Sequence, residues 1–344
     1  MNPILNKALS LNRLSPEEAL FLLKDADWTC VVRTANAVRN AKLPGHRVGY
    51  TVYQIINYTN VCSIHCEFCS FSKEKGEPGT YLLSLDKIRE KAIHARSLGA
   101  NQIFLQGGVD EDIQLDYYTD VLQMLTHELK MSVRGFSPVE IFHIAKTNGM
   151  DVPTLLKTLK AAGLSSVPGA GAEILADRVR AKLSPKKLTS LEWRDTLAEC
   201  HKAGLPGSVN IVFGSFETPE EIIAHLDLLR ALQDETKGIK SFVAWTFQKQ
   251  TDHFPIRHVS PQEYLKLLAL SRLYLDNIPH VEVSVLGMGK EIGELGLSSG
   301  ADDINSIVIE ENVLESRGIK SIGEAEEFIR KAGFTPYRRT LNFD

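Results

Sequence analysis

From Val48 onward the apolar residues of this chain fall into two alternating rhythms. Short runs rich in β-branched and aromatic residues, at 50–57, 102–105, 131–136, 164–167, 208–213, 241–247, 281–286 and 304–309, read as strands. Between them lie longer stretches with apolar positions three and four apart, at 85–98, 115–129, 139–162 with a break at Gly149, 191–203, 220–233, 262–277 and 290–298, which read as helices. Two of these helices open on capping boxes, Thr218-Pro219-Glu220-Glu221 and Ser260-Pro261-Gln262-Glu263. The first fifty residues lack the strand rhythm. There Ser15-Pro16-Glu17-Glu18 caps one helix, and another runs from about Asp27 to Lys42 before Pro44-Gly45 breaks it.

Strand–helix alternation forces a parallel sheet with helices outside, because a parallel neighbour is reached only through a long crossover. Eight repeats without a long linker favour an α/β fold of the (β/α) TIM-type barrel class with a helical N-terminal cap. The doubly wound open sheet competes, but its G-x-G-x-x-G fingerprint is missing. Gly169-Ala170-Gly171-Ala172-Glu173 resembles part of it, follows a weak fourth strand and lacks the third glycine in register. The expected organisation is a cap over 1–47, a barrel over 48–310 and a C-terminal helical extension over 311–344.

Composition narrows the partners more than the fold. With 43% hydrophobic and 24% charged residues the chain reads as an ordinary soluble globular protein. Lys and Arg number 39 against 43 Asp and Glu, a net charge of −4, so no global basic field favours nucleic acid or an anionic membrane. No apolar run approaches a membrane span, and the opening MNPILNKALS lacks the features of a signal peptide. A cytoplasmic protein acting on a small-molecule substrate is expected.

The chemistry-bearing signal is in the cysteines. Cys30 and Cys200 stand alone, whereas Cys62, Cys66 and Cys69 form a C-x3-C-x2-C run just after the first barrel strand, too crowded and odd in number for a disulfide framework. Three thiolates on one short loop suit three corners of an iron–sulfur cubane and leave one iron open to a small chelating cofactor. Zinc held by the same cysteines with His65 is the competing metal reading, although zinc knuckles usually pair CxxC units. A non-catalytic iron–sulfur electron-transfer protein would account for the cysteines but not for the barrel repeat.

The C-x3-C-x-aromatic-C loop at the end of a first barrel strand resembles the radical S-adenosylmethionine (SAM) enzymes. The segments Asn57-Tyr58-Thr59-Asn60-Val61-Cys62, Leu105-Gln106-Gly107-Gly108, Ser137-Pro138-Val139-Glu140-Ile141, Gly169-Ala170-Gly171-Ala172-Glu173 and Ala244-Trp245-Thr246-Phe247-Gln248 are similar to the futalosine-pathway branch of that superfamily. The resemblance implies a [4Fe-4S] cluster on Cys62, Cys66 and Cys69 and SAM chelated to its open iron. It implies Phe68 beside the adenine and Gln106, Gly107 and Gly108 around the SAM amino group. The reaction implied is a cyclisation in menaquinone biosynthesis, begun when a 5′-deoxyadenosyl radical removes the ribose C4′ hydrogen of a futalosine-type nucleoside. A reducing partner such as flavodoxin or ferredoxin would supply the electron. Aminofutalosine synthases and the enzymes that build the deazaflavin of coenzyme F420 are the neighbouring alternatives.

Other residues carry weaker signals. Glu173, in a glycine-rich turn after the fourth strand, suits ribose hydroxyls, and Arg178 beyond it suits a planar fork on the SAM carboxylate. The plain alternatives are a dipole-favoured Glu and a solvated Arg, and for Arg178 alone the plain one serves equally well. Trp245 and Phe247 share one side of the sixth strand and line either a substrate pocket or the core. Asp252 and His253, in the loop that follows, are candidates for substrate contact or proton transfer. Futalosine cyclases commonly carry His-Pro soon after Gln-Gly-Gly, where this chain has Val109-Asp110-Glu111.

Overall fold

Strand β1 (Arg47–Ile56) is the longest of the sheet and organises the rest of it. A computed structural model describes residues 2–43, 45–248, 254, 256–309, 318–341 and 343. The further strands are β2 (Gln102–Leu105), β3 (Ser132–Gly135), β4 (Leu164–Ser166), β5 (Gly207–Phe213), β6 (Ile239–Thr246), β7 (His280–Glu282), β8 (Asp303–Val308) and β9 (Thr335–Arg338). They pair in the order β4-β3-β2-β1-β8-β7-β6-β5, every pairing parallel, with β9 beside β1.

The ring nearly closes between β4 and β5. Just past β4, the Val167 and Gly169 amides donate to the Pro206 and Ser208 carbonyls at 3.1 and 2.7 Å. Gly207 permits this approach, since a Cβ there would stand 1.7 Å from the Val167 carbonyl oxygen. The fold is the expected (β/α) barrel.

Period-two alternation sorts the strand residues between the helices and the lumen. On β1, Val52, Gln54 and Ile56 are buried while Tyr53 and Ile55 are half-buried. Contacts across the ring identify the lumen side: Tyr53 meets Phe104 edge-on with ring centres 5.8 Å apart, Arg134 lies over Phe104, and Arg134 reaches Ser208 on β5.

The floor of this lumen is closed from the C-terminal end of the chain. Strand β9 pairs with Arg47–Tyr50, the part of β1 lying below its contact with β2, and so covers an edge that would otherwise be open. Arg339, the residue after β9, enters the barrel and bonds Asp303 and Glu282, and Glu282 also accepts from Ser241. All four are at most 3% exposed. Helix Ile322–Lys331 leads into β9, and Tyr50 donates to its Glu326 at 2.8 Å. The segment expected to be helical therefore also contributes a strand.

The N-terminal helices, Pro3–Leu9, Pro16–Lys24 and Trp28–Lys42, dock on the barrel's outer helices Pro219–Thr236 and Pro261–Tyr274. Buried Arg230 secures them by donating to the Leu14 carbonyl at 2.8 Å, and Arg13 forms a fork on Asp234. Among the described residues no helix is long and apolar enough to cross a membrane.

Two local readings change, and one expected break is found. The strand expected over 281–286 ends at Glu282. Ser284 instead starts the one-turn helix Val285–Met288, its hydroxyl accepting from the Gly287 amide and its own amide donating to the Tyr264 hydroxyl. β-Branched composition suggested a strand, but capping chemistry prevails. The 139–162 stretch breaks around Gly149 as expected, into Pro138–Thr147 and Val152–Ala162, the second capped by Asp151. An unexpected helix, Asp177–Leu183, follows the glycine-rich turn after β4.

Candidate active site

The cysteine loop leaves the C-terminal end of β1, and four consecutive side chains shape its exit. Asn57 donates to the Gln106 carbonyl at 3.0 Å, Tyr58 to the Glu140 carboxylate at 2.8 Å and Thr59 to the Tyr81 carbonyl at 2.8 Å. Asn60 spans the loop, donating to the Gly79 carbonyl and accepting from the Tyr81 amide. Backbone bonds complete the closure: the Cys62 amide donates to Lys73, the Ser63 amide to Val109 and the Glu67 amide to Leu183.

The turn after β2 packs directly on this exit. The Gly108 amide donates to the Thr59 carbonyl at 2.9 Å, and the Gly107 amide to Glu140 at 3.0 Å. A Cβ on Gly108 would lie 2.0 Å from the Val61 carbonyl oxygen, and one on Gly107 would lie 2.6 Å from the Tyr58 ring. The two glycines are thus required by the protein's own packing, whatever else approaches them. Glu140 is the hidden organiser. Burial pushes its carboxyl pKa up, opposed by the Gly107 amide, Ser137 and Tyr58, which all donate to it. It holds the β2 turn against the cysteine loop.

The excursion after β4 closes the other side. Glu173 has a positive φ of 39°, a strained conformation for a residue other than glycine. Its carboxylate accepts from Lys187 Nζ at 3.0 Å, and Lys187 Nζ lies 5.5 Å from the centre of the Phe68 ring. Burial works against the Lys187 charge, but Glu173 and Cys66 outweigh it and raise its pKa. Burial also pushes the Cys66 thiol up, opposed by the Lys187 charge. Arg180 supports the turn from behind by donating to the Ala172 and Leu188 carbonyls. Buried His225 does so too, its Nδ1 accepting from the Leu175 amide at 3.0 Å.

The described residues singled out in the sequence have these places. Cys62, Cys66 and Cys69 are free and half-buried on one loop, whereas Cys30 is exposed and Cys200 buried elsewhere. Phe68 joins an aromatic wall with Phe247 and Phe254, at centre distances of 5.2 and 6.2 Å, and Phe254 continues it to Phe216. Gln106, Gly107 and Gly108 adjoin the cysteine loop and Glu173 faces it, but Arg178 is half-exposed and held by Glu221 at 2.7 and 2.8 Å. The cation at Glu173 is Lys187, which the sequence reading missed because the two lie on either side of an unanticipated helix. Asp252 and His253 lie outside the described residues.

Among the described residues no three His, Cys, Asp or Glu side chains converge closely enough to hold a single metal ion. Three free thiols on one loop, walled by Gly108 and faced by a lysine, are the soft donor set that an iron–sulfur cluster takes.

A parallel barrel with a three-thiol loop at the C-terminal end of its first strand defines a class, and comparison with known proteins agrees. The chain belongs to the radical SAM superfamily, whose model matches residues 56–229. A second model, the CofH/MqnC C-terminal region, matches residues 236–344. Membership makes the protein an enzyme and implies a [4Fe-4S] cluster and SAM. The chain is 35% identical over 99% of its length to the cyclic dehypoxanthine futalosine synthase of Halalkalibacterium halodurans, covering 94% of that protein. It is 33% identical over 91% of its length to a 5-amino-6-(D-ribitylamino)uracil–L-tyrosine 4-hydroxyphenyl transferase of Methanopyrus kandleri, covering 88% of it. In fold it is similar to the crystal structure of methylornithine synthase, with a TM-score of 0.75, 19% identity and 97% of both chains covered.

Proposed function

We propose that this enzyme is a radical SAM cyclase that converts dehypoxanthine futalosine to its cyclic form in menaquinone biosynthesis. The observation that carries the reading is the seating of the Cys62–Cys69 loop on Gln106-Gly107-Gly108, above a lumen walled by Tyr53, Phe104 and Trp245. The extent of similarity to the futalosine synthase supports it further.

With Cys62, Cys66 and Cys69 as ligands, a reduced [4Fe-4S] cluster and SAM supply a 5′-deoxyadenosyl radical. The chain's own residues position and enclose. The Gln106–Gly108 backbone offers polar groups for the SAM amino group, Phe68 offers an aromatic face for adenine, and Glu173 offers a carboxylate for ribose hydroxyls. The aromatic wall of Phe68, Phe247 and Phe254 excludes water from the reacting carbon. In the substrate, one hydrogen atom leaves ribose C4′ and a carbon–carbon bond closes onto the benzoate ring. Loss of one proton and one electron then restores aromaticity. Asp252 and His253, which lie outside the described residues, are candidates for substrate contact or proton transfer.

Anaerobic reconstitution with C4′-deuterated dehypoxanthine futalosine tests the reading. The expected result is one deuterium in 5′-deoxyadenosine and a cyclic product with two hydrogens fewer than its substrate. A product that retains the deoxyadenosyl group would identify an aminofutalosine synthase. Consumption of tyrosine with 5-amino-6-(D-ribitylamino)uracil would identify the activity for which the Methanopyrus relative is named.

A further inference from the structure

Between the sealed floor and the cysteine loop, the lumen contains a cation poorly matched by its surroundings. Arg134 is the second-to-last residue of β3, in register with Phe104 on β2 and Ser166 on β4. Its guanidinium lies 5.2 Å from the centre of the Phe104 ring, and Nη2 donates across the lumen to the Ser208 hydroxyl. Its Nε is buried without a hydrogen-bond partner. Among the described residues no carboxylate bonds it. Glu282 acts on it only through space and is already engaged by Arg339 and Ser241. Of the other buried arginines, Arg272 has Asp302, Arg339 has Asp303 and Glu282, and Arg180 has backbone carbonyls; Arg39, whose Nε is also unpartnered, lies on the N-terminal helix Trp28–Lys42 rather than in the lumen and donates to Asn40 and the Arg47 carbonyl. A guanidinium whose Nε is shut off from water with no anion bonded to it is costly to maintain, and burial pushes its pKa down.

The walls beside it are flat and apolar. Tyr53 and Phe104 meet edge-on at 86°, and Trp245 stands on β6. Tyr53, Phe104, Arg134 and Trp245 are each partly exposed although they lie on inner faces of strands. Because the Arg339 cluster closes the floor, that exposure opens toward the rim. Register places Phe104, and Arg134 beside it, two residues below Gln106, a rise of about 7 Å that accommodates a benzoate group.

We propose that Arg134 is the carboxylate anchor of the substrate site. An aromatic acid enters with its carboxylate toward the floor, where it accepts from Arg134 while Ser208 holds the guanidinium plane. The ring lies between the aromatic walls, and the rest of the substrate extends toward the cysteine loop. The proposal rests on the reading of a benzoate-bearing nucleoside as substrate, and it makes Arg134 a specificity-determining residue that takes no part in bond cleavage. A planar fork explains why arginine rather than lysine serves here.

Isothermal titration of the anaerobically reconstituted full chain with benzoate and with benzamide tests it apart from turnover. The wild type is expected to bind benzoate at least tenfold more tightly than benzamide. Arg134→Gln should abolish that preference, Arg134→Lys should keep part of it, and Ser208→Ala should weaken benzoate binding severalfold. Iron content and melting temperature report whether each variant is folded, and if Arg134→Gln is not, Arg134→Lys is judged by the same titration. In turnover of dehypoxanthine futalosine, Arg134→Lys should raise KM more than it lowers kcat. Equal binding of benzoate and benzamide by the wild type would overturn the proposal, as would benzoate affinity within twofold of wild type in folded Arg134→Gln. If the wild type prefers benzoate but does not cyclise dehypoxanthine futalosine, the anchor stands and the reading of the reaction fails.

Discussion

The two ends of the barrel use buried polar groups in opposite ways. At the floor, Arg339, Asp303, Glu282 and Ser241 bond one another inside a sealed layer, and each charge faces its counter-charge. At the rim, Glu140, Asn57, Thr59 and Asn60 are tied mainly to backbone and fix the path of the cysteine loop and the β2 turn. The floor's charges serve cohesion. The rim's polar groups serve orientation, leaving thiols and glycine backbone to present. A buried charge is therefore a weak sign of chemistry by itself; what distinguishes the rim is that its bonds aim other groups.

The largest effect that would sharpen this contrast is loss of a rim thiol. Cys66→Ala should lose the cubane EPR signal and SAM cleavage by orders of magnitude while the barrel still melts cooperatively. Cys200→Ala, in the core between barrel and helices, should retain both. An intact cluster in Cys66→Ala would break the assignment of the loop.

The floor should show the reverse. Arg339→Met leaves Asp303 and Glu282 facing each other without a counter-charge, and breaking such a buried cluster costs about 3–5 kcal/mol. The melting temperature should fall by roughly 4–7 °C, with cluster content per folded molecule unchanged. If stability held and only cluster binding suffered, the division between the two ends would be wrong.

An effect spread over the acid limb compares two buried imidazoles, one behind each end. Burial lowers the pKa of His225, behind the Glu173 turn, to about 3 and that of His201, against Gly238 before β6, to about 4. An unfolded histidine titrates near pH 6.5, so below that pH the unfolded chain binds protons that the folded protein refuses. The stabilisation is complete above about pH 6.5 and is lost as pH falls toward the folded values, at about 1.4 kcal/mol per pH unit for each residue. Thermal melts from pH 7 to 5 should show this decline, and His201→Gln with His225→Gln should flatten its slope whatever they do to absolute stability. An unchanged slope would mean that other groups govern the acid limb.

How much of this was legible in the sequence follows from how local each feature is. The barrel was readable because strand and helix periods are short-range patterns, and the cysteine loop because its three thiols lie within eight residues. Arg134 with Ser208 and Arg339 with Asp303 are partners brought together only by ring closure, so neither signals itself in the chain. Lys187 was hidden by the helix Asp177–Leu183, and β7 was overextended because valines at 281, 283 and 285 mimic a strand that Ser284 ends. Gly107 and Gly108 were found for an incomplete reason: the sequence suggested room for a cofactor, whereas Tyr58 and Val61 already require the absence of a side chain.

The pairing of β9 with β1 also has a temporal side. On a ribosome β1 emerges before every other strand and β9 after all of them, so Arg47–Tyr50 waits through nearly the whole of barrel synthesis for that partner. A chain interrupted before Thr335 would expose that strand edge and leave Asp303 and Glu282 without Arg339. The presence of β9 is thus coupled to the stability of the barrel floor. Copies that lack β9, although they already carry all three cluster cysteines, are expected to unfold more readily than those that have it.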